Sequence, residues 1–156
     1  MDLIKTIMVA VDFSDHASSA ADYAAKLASD VNANVLLVNI LNQRDVDAMN
    51  MVAVRVPKYP VKQYIEEQLE DRHDRLKEIE SRPGFSGLNV RRIVKTGVPY
   101  DALLKVIKDE KPDLLIMGTL GRSAMMDAIV GSCARKMFRH CPIPLLSIRE
   151  PENSGG

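Results

Sequence analysis

Three glycines and a serine in the last third of the chain are spaced in a way that suits an anion. Two residues separate Gly118 from Gly121, and nine residues separate Gly121 from the pair Gly131 and Ser132. Glycine lets a backbone approach a phosphate without a Cβ in the way, and the unpaired N–H groups and dipole of a helix start favour negative charge. The serine hydroxyl would add a donor. The same residues can instead shape a turn and cap a helix, so the spacing alone leaves both interpretations open.

Two charged residues are further candidates for binding a ligand. Asp12 follows the first apolar run, where its carboxylate can accept hydrogen bonds from a ribose or a base, or can simply start a helix. Arg122 lies in the glycine-bearing loop, and its guanidinium can pair with a phosphate, although a loop arginine is more often solvated.

The histidines and cysteines form no recognisable metal or redox motif. His16, His73 and His140 are far apart, and none has a partner at the spacing of a zinc site. Cys133 and Cys141 are eight positions apart, which fits neither a redox pair nor a metal knuckle. Cys133 lies near the predicted start of the last helix, which would lower the pKa of its thiol, but a packed cysteine is the favoured interpretation.

The groups of an efficient nucleotide hydrolase are also missing from the sequence. No serine elbow, no lysine directly after the glycines and no acidic pair with an evident metal role is present. Because no side chain in the glycine loop can act as a general base near a γ-phosphate, slow hydrolysis is the most that these residues predict.

Apolar runs that alternate with amphipathic segments must position these candidates. Short apolar runs predict buried strands over residues 4–11, 35–41 and 114–117, and two further strands are predicted over residues 88–95 and 142–148. Spacings of three and four predict helices after Ser14, from Val61, after Pro99 and from Gly131. The stripe of the helix from Val61 runs through Leu69, Arg72 and Leu76 in a charged, exposed segment that Pro83 and Gly84 end. The stretch from Asn42 to Pro60 has no clear period and is predicted to be a loop.

Strict alternation of strands and helices predicts an α/β fold, a doubly wound open parallel sheet of five strands with helices on both faces. Ligands of such sheets bind beyond the carboxyl ends of the strands, where the strand order reverses. Asp12 and the glycine loop both follow strand ends, so we expect them at one edge of the sheet. We also expect a single domain over residues 1–150 and a flexible tail over residues 151–156.

Composition narrows the class of protein. Of the 156 residues, 46% are hydrophobic and 27% are charged, as in an ordinary globular domain. Basic and acidic residues number 21 each, so no net charge favours nucleic acid or an acidic membrane surface. With no apolar run of about 18 residues and no secretory signal, we expect neither a membrane span nor export. Two cysteines without a disulfide framework favour the cytoplasm.

Three segments of the chain resemble universal stress proteins of the ATP-binding type. They are VAVDFSDHASSAADYAAKLA, VKTGVPYDALLKVIKDEKPDLLIMGTLGRS and GSCARKMFRHCPIPLLSIR, and the resemblance extends from Ile4 to Arg149. The spacing of Gly118, Gly121 and the Gly131-Ser132 pair, between a strand and a helix, is similar to the nucleotide-binding signature of that family. The predicted loop from Asn42 to Pro60 is the least similar part.

The resemblance implies an adenine nucleotide, usually ATP, at the strand ends, with Mg²⁺ as a candidate companion. Carried over residue by residue, the nucleoside would be bordered by Val11 and Asp12, the adenine by Val38, and the base and ribose by Met117 and Gly118. The phosphates would be surrounded by Gly121, Gly131 and Ser132, with Arg122 as a further candidate and the amides of Cys133 and Ala134 beside them. Cys133 stands where valine is common in the family.

The favoured hypothesis is an adenine-nucleotide binding module in stress response or signalling that holds its nucleotide rather than turning it over. The alternatives are an α/β enzyme acting on an adenylated substrate and a dimeric adaptor with an unoccupied site. The last strand, Leu145–Ile148, follows Pro142 and Pro144 and resembles the edge strand through which family members associate. A homodimer through this strand is therefore expected.

Overall fold

Eleven regular elements follow one another in the computed structural model, which describes residues 3–13, 15–119 and 128–149, without the side chains of 15–18, 119 and 128–132. The strands are β1 (Thr6–Ala10), β2 (Asn34–Asn42), β3 (Val90–Gly97), β4 (Leu114–Thr119) and β5 (Leu145–Arg149). The α-helices are α1 (Asp15–Val31), α2 (Gln43–Arg55), α3 (Val61–Glu80), α4 (Pro99–Glu110) and α5 (Ala128–His140). A 3₁₀ turn over Pro83–Phe85 follows α3. No helix in the described ranges is long and apolar enough to cross a membrane.

The strands form a parallel sheet in the order β3-β2-β1-β4-β5. In the pairing of β1 with β2, Thr6 lies opposite Asn34, and in its pairing with β4, Ile7 lies opposite Leu114. Parallel neighbours need long crossover connections, and the helices supply them. The predicted doubly wound sheet is confirmed, with strand bounds that differ from the predicted ones by at most three residues.

Alternate residues of the central strand face two separate cores. Ile7 and Val9 pack with the alanine stripe of α1 and with Leu76 of α3 on one face of the sheet. Met8 packs on the other face with apolar residues of α4 and with Met137 of α5. All three β1 residues are fully buried, and helices cover both faces as predicted. Burial on both sides is the reason why the central strands β1 and β4 consist mainly of apolar residues, whereas the edge strand β3 includes exposed Arg91, Arg92 and Lys95.

Local sequence signals set several helix boundaries. α4 begins with Pro99, whose fixed φ suits a first helical position, and it ends at Lys111 in the left-handed conformation. Asn32 takes the same conformation after α1. Asp113 joins the beginnings of β4 and β1, because one carboxylate oxygen accepts the backbone N–H groups of Lys5 and Thr6 at 2.9 and 3.0 Å.

The predicted loop between Asn42 and Pro60 contains the helix α2, so that prediction was wrong. The side-chain oxygen of Asn42 caps α2 by accepting a hydrogen bond from the backbone N–H of Arg44 at 3.0 Å. Asp45 in the first turn suits the positive end of the helix dipole, and Val46 is buried. A good cap and one buried side chain stabilise a helix here without the long apolar stripe that usually indicates one.

The last helix begins earlier than the sequence indicated. α5 starts at Ala128, so Gly131 and Ser132 lie inside the helix rather than at its start. A glycine in a helix costs only about 1 kcal/mol relative to alanine. The flanking residues can overcome that cost, and the glycine therefore does not mark the helix boundary.

Candidate functional site

The strand order reverses at β1, between its neighbours β2 and β4. The chain runs from β1 outward to β2 and β3 and then returns to the other side of β1 as β4. Ala10, the last residue of β1, is paired with Val38 of β2 and with Met117 of β4. Doubly wound sheets bind ligands at such a reversal. The predicted nucleoside residues Val11, Asp12, Met117 and Gly118 thus lie where β1 and β4 end, and Val38, in the middle of β2, lies beside the last residue of β1.

Buried apolar residues lie on both faces of the sheet at this edge. Val11, Val38 and Met117 are 3%, 0% and 6% exposed. Val11 belongs to the core that contains α1, whereas Val38 and Met117 belong to the core on the opposite face. The backbone N–H of Val11 donates to the carbonyl of Val38 at 2.8 Å, so the chain stays attached to β2 one residue beyond β1. Val38 therefore contributes packing below the edge, whereas Gly118 is partly exposed at the end of β4.

Asp12 follows the end of β1, and contacts fix the positions of its neighbours Val11 and Phe13. Its side chain is exposed, as is expected of a charged group that follows a buried strand. Phe13 adopts a positive φ of 64°, which is uncommon for a residue other than glycine, and its ring packs against the core beneath α1. The guanidinium of Arg75 lies 5.4 Å from the centre of that ring, a distance typical of cation–π contacts.

A polar chain behind this edge was not found by the sequence reasoning. Asn39 on β2 is buried, and its side-chain N–H donates to the carbonyl of Val11 at 2.5 Å. Its side-chain oxygen accepts a hydrogen bond from the guanidinium of Arg72 on α3 at 2.8 Å. Burial lowers the pKa of Arg72, with Asp45 acting in the opposite direction. One signal was available, because Arg72 occupies a position on the apolar stripe of α3.

The predicted phosphate residues are described only in part. Gly121 and Arg122 lie outside the described residues, and Gly131 and Ser132 are described by their helical backbone alone. Cys133 and Ala134 are the sixth and seventh residues of α5, and only the first four N–H groups of a helix lack an intrahelical acceptor. The expectation that these two amides face phosphates depended on a helix that starts at Gly131. Because α5 starts at Ala128, the helix start no longer supports that expectation.

Cys133 has the environment of a packed thiol rather than of a reactive one. Cys133 and Cys141 are both free. Burial raises the pKa of the Cys133 thiol to about 11, and the charge of Lys136 opposes this shift only in part. Its place in the second turn of α5 also explains why the helix start does not lower the pKa, since that effect fades within the first turn. As for metals, no cluster of three His, Cys, Asp or Glu side chains that could hold an ion occurs in the part of the chain that the structure describes.

Comparison with known proteins decides the family. The sequence pattern of the Universal stress protein family matches residues 3–149. The chain belongs to this family. A universal stress protein of Thermus aquaticus, encoded in the 3′ region of the QAH/OAS sulfhydrylase gene, is 30% identical over 149 residues, which cover 94% of this chain and 100% of that protein.

Solved structures agree on the fold of this universal stress protein. The structure of MJ0577 from Methanocaldococcus jannaschii has a TM-score of 0.75 at 19% identity and covers 96% of this chain and 99% of its own. A universal stress protein in complex with cAMP has a TM-score of 0.60 at 22% identity, over 95% of this chain and 98% of its own. A family member from Arabidopsis thaliana with AMP bound has a TM-score of 0.56 at 16% identity, over 97% and 96%.

We predict that Cys133 of this universal stress protein reacts slowly with alkylating reagents near neutral pH. Because its pKa is raised to about 11, the thiolate that attacks such reagents is scarce until the solution is strongly alkaline. The measurement is iodoacetamide labelling of a Cys141→Ser variant, followed by mass spectrometry, with the urea-unfolded chain as the control. Labelling of the folded chain as fast as the unfolded chain at neutral pH would contradict the prediction.

Proposed function

We propose that this universal stress protein binds an adenine nucleotide, with ATP as the first candidate. In this proposal it is a binding module in stress response or signalling that keeps its nucleotide rather than turning it over rapidly. The observation that carries the proposal is the meeting of Val11 and Asp12 with Met117 and Gly118 where the strand order reverses. The glycine spacing that follows β4 in the sequence adds a second support. Family members whose solved structures hold cAMP and AMP add a third.

Each part of the nucleotide has a matching group in this proposal. The adenine is proposed to lie against the backbone of Val11 and Met117, whose side chains are buried on opposite faces of the sheet. The exposed carboxylate of Asp12 can accept hydrogen bonds from ribose hydroxyls or from the base. Gly118 lets the sugar approach the backbone. The phosphates are assigned, from sequence alone, to Gly121, Arg122, Gly131 and Ser132.

The setting of the protein is part of the proposal. Mg²⁺ prefers phosphate oxygens and retains several waters, so an ion accompanying ATP would be bound mainly through the nucleotide. Both cysteines are free thiols, and free thiols persist in a reducing compartment. We therefore propose a cytoplasmic location and no role in nucleic-acid binding, in keeping with the equal numbers of basic and acidic residues.

Substitution of Gly131 separates nucleotide binding from folding. Gly131 lies in α5, so Gly131→Ala should maintain or raise the free energy of unfolding, because helix propensity favours alanine by about 1 kcal/mol. Gly131→Val places a branched side chain where the phosphates are proposed to lie, and we predict ATP binding at least about tenfold weaker, or about 1.4 kcal/mol. Calorimetric titration with ATP, beside urea unfolding, measures both quantities. A folded Gly131→Val chain with wild-type affinity would move the phosphates elsewhere.

Hydrolysis of the bound ATP is expected to be slow. Backbone donors bind the ground state and the transition state about equally well, so a cradle made mainly of N–H groups tightens binding without lowering the chemical barrier. We predict turnover well below about 1 s⁻¹, the low end of ordinary enzymes. Phosphate release in the presence of Mg²⁺ is the assay, with Gly131→Val to reveal contaminating ATPase. A rate of several turnovers per second that disappears in this variant would favour the enzyme hypothesis.

A second copy of the chain is the proposed partner of the β5 edge. β5 is the last strand on one side of the sheet, and Leu145, Leu146 and Ile148 are only partly covered. The backbone N–H of Leu115 on β4 donates to the carbonyl of Pro144 at 3.0 Å. In a parallel ladder the groups alternate, so Leu146 bonds to β4 while Leu145 and Ser147 direct their N–H groups to the open edge. Such an edge tends to pair with another strand.

Proline substitution tests this edge without breaking the sheet. We predict that the wild-type chain of 17.3 kDa is a dimer at micromolar concentration and that Ser147→Pro is a monomer, because proline removes only an outward N–H. The matched control is Thr96→Pro, an exposed residue whose N–H faces outward from β3 at the opposite edge. Light scattering gives the masses. A monomeric wild type, or a Ser147→Pro variant that stays dimeric, would overturn the proposal.

A further inference from the structure

Asn39 is the one buried polar side chain among the described residues, and it connects two distant parts of the chain. Its N–H reaches the carbonyl of Val11, 28 positions away, and its oxygen accepts from Arg72, 33 positions away. An apolar residue at this position would pack without needing hydrogen-bond partners. A buried amide whose N–H and oxygen are both hydrogen-bonded therefore adds a specific connection between the end of β1 and α3.

The chemistry of Arg72 determines which way the amide of Asn39 points. A guanidinium has only donors, so it can face the oxygen of an amide and never its N–H₂ group. With its oxygen turned toward α3, Asn39 must present its N–H₂ group to the carbonyl of Val11. Arg72 therefore acts on Val11 through the polarity of Asn39, over a path of two hydrogen bonds of 2.8 and 2.5 Å.

These hydrogen bonds affect Asp12, because contacts fix the positions of both residues next to it in the chain. Val11 donates its N–H to Val38 and accepts from Asn39, which leaves its backbone little freedom. On the other side, Phe13 has a left-handed backbone, and Arg75 covers its ring. Arg72 and Arg75 are three positions apart and so lie on one face of α3. Two arginines of one helix thus secure the two residues that flank Asp12.

This arrangement is costly for the fold, which argues against a purely structural origin. The Nε atom of Arg72 is buried and has no hydrogen-bond partner among the described residues. The charges that act on the guanidinium are Asp45 on α2 and Asp71 and Arg75 on α3, and burial outweighs each of them in lowering the pKa of Arg72. A partly buried cation without full pairing is a weak source of stability.

We propose that Arg72 is a positioning residue that sets the direction of Asp12 toward the nucleotide by fixing the amide of Asn39. The part that concerns the nucleotide rests on the proposed function. Arg72 itself need not touch the ligand. Its effect is to hold the carboxylate where ribose hydroxyls or the base can donate to it, and small misplacements of such groups lower affinity strongly.

Three variants of Arg72 and one control test the proposal in two measurements. The variants are Arg72→Met, which cannot orient the amide, Arg72→Lys, which still offers donors only, and Arg72→Gln, which can face Asn39 either way and serves if the methionine variant fails to fold. Lys77→Met removes a charge from an exposed residue of the same helix. The first measurement, without ligand, is NMR of the Asn39 side-chain N–H₂ and the Val11 carbonyl carbon. The second is calorimetric titration with ATP.

We expect Arg72→Met or Arg72→Gln to shift both resonances and to weaken ATP binding about tenfold, the low end of the loss seen when a hydrogen-bond partner behind a ligating group is removed in metal sites. Arg72→Lys should keep both resonances and the ATP affinity close to the wild-type values, and Lys77→Met should change neither the resonances nor the affinity. Unmoved resonances would overturn the control of Asn39 by Arg72. Moved resonances with wild-type ATP affinity would overturn the positioning role alone. A wild-type chain that binds no adenine nucleotide would overturn the proposed function together with that role, while the resonances would still report on Asn39.

Discussion

Pairing of β1 with a strand on each side is the interaction on which the rest of the molecule depends. Ile7, Met8 and Val9 are fully buried, because β2 and β4 cover their edges and helices cover their side chains. A strand in that position tolerates no charged side chain until it ends. Asp12 is the first charged residue after the strand, so the chemistry of the candidate site starts where this burial stops.

The strand order turns this local constraint into a site. The chain leaves β1 toward β2 on one side of it and later returns as β4 on the other side. The segments that follow β1 and β4 therefore lie next to each other, with no helix crossing between them. The register places the last residue of β1 opposite Val38 and Met117, which are both buried in the core that contains α4 and α5. The fold and the candidate site therefore both depend on the parallel pairing at the centre of the sheet.

Burial patterns were predictable from the sequence, but caps and side-chain partners were not. The central strands and α1 were predicted because apolar runs and the alanine stripe reflect burial directly. α2 was missed since its stability comes from the cap at Asn42 and one buried valine. The contact between Arg72 and Asn39 joins two elements through hydrogen bonds that no periodicity records. A cation on the apolar stripe of α3 was the only trace of it in the sequence.

The central claim is that the edge formed by Val11, Asp12, Met117 and Gly118 holds an adenine nucleotide. The most direct measurement is to purify the protein without added nucleotide, denature it, and identify what is released by chromatography and mass spectrometry. We predict the release of an adenine nucleotide, at up to about one molecule per chain for a tightly held ligand. Release of none, together with no binding when ATP, ADP, AMP and cAMP are titrated into the folded protein, would contradict it and favour an adaptor that acts without a nucleotide.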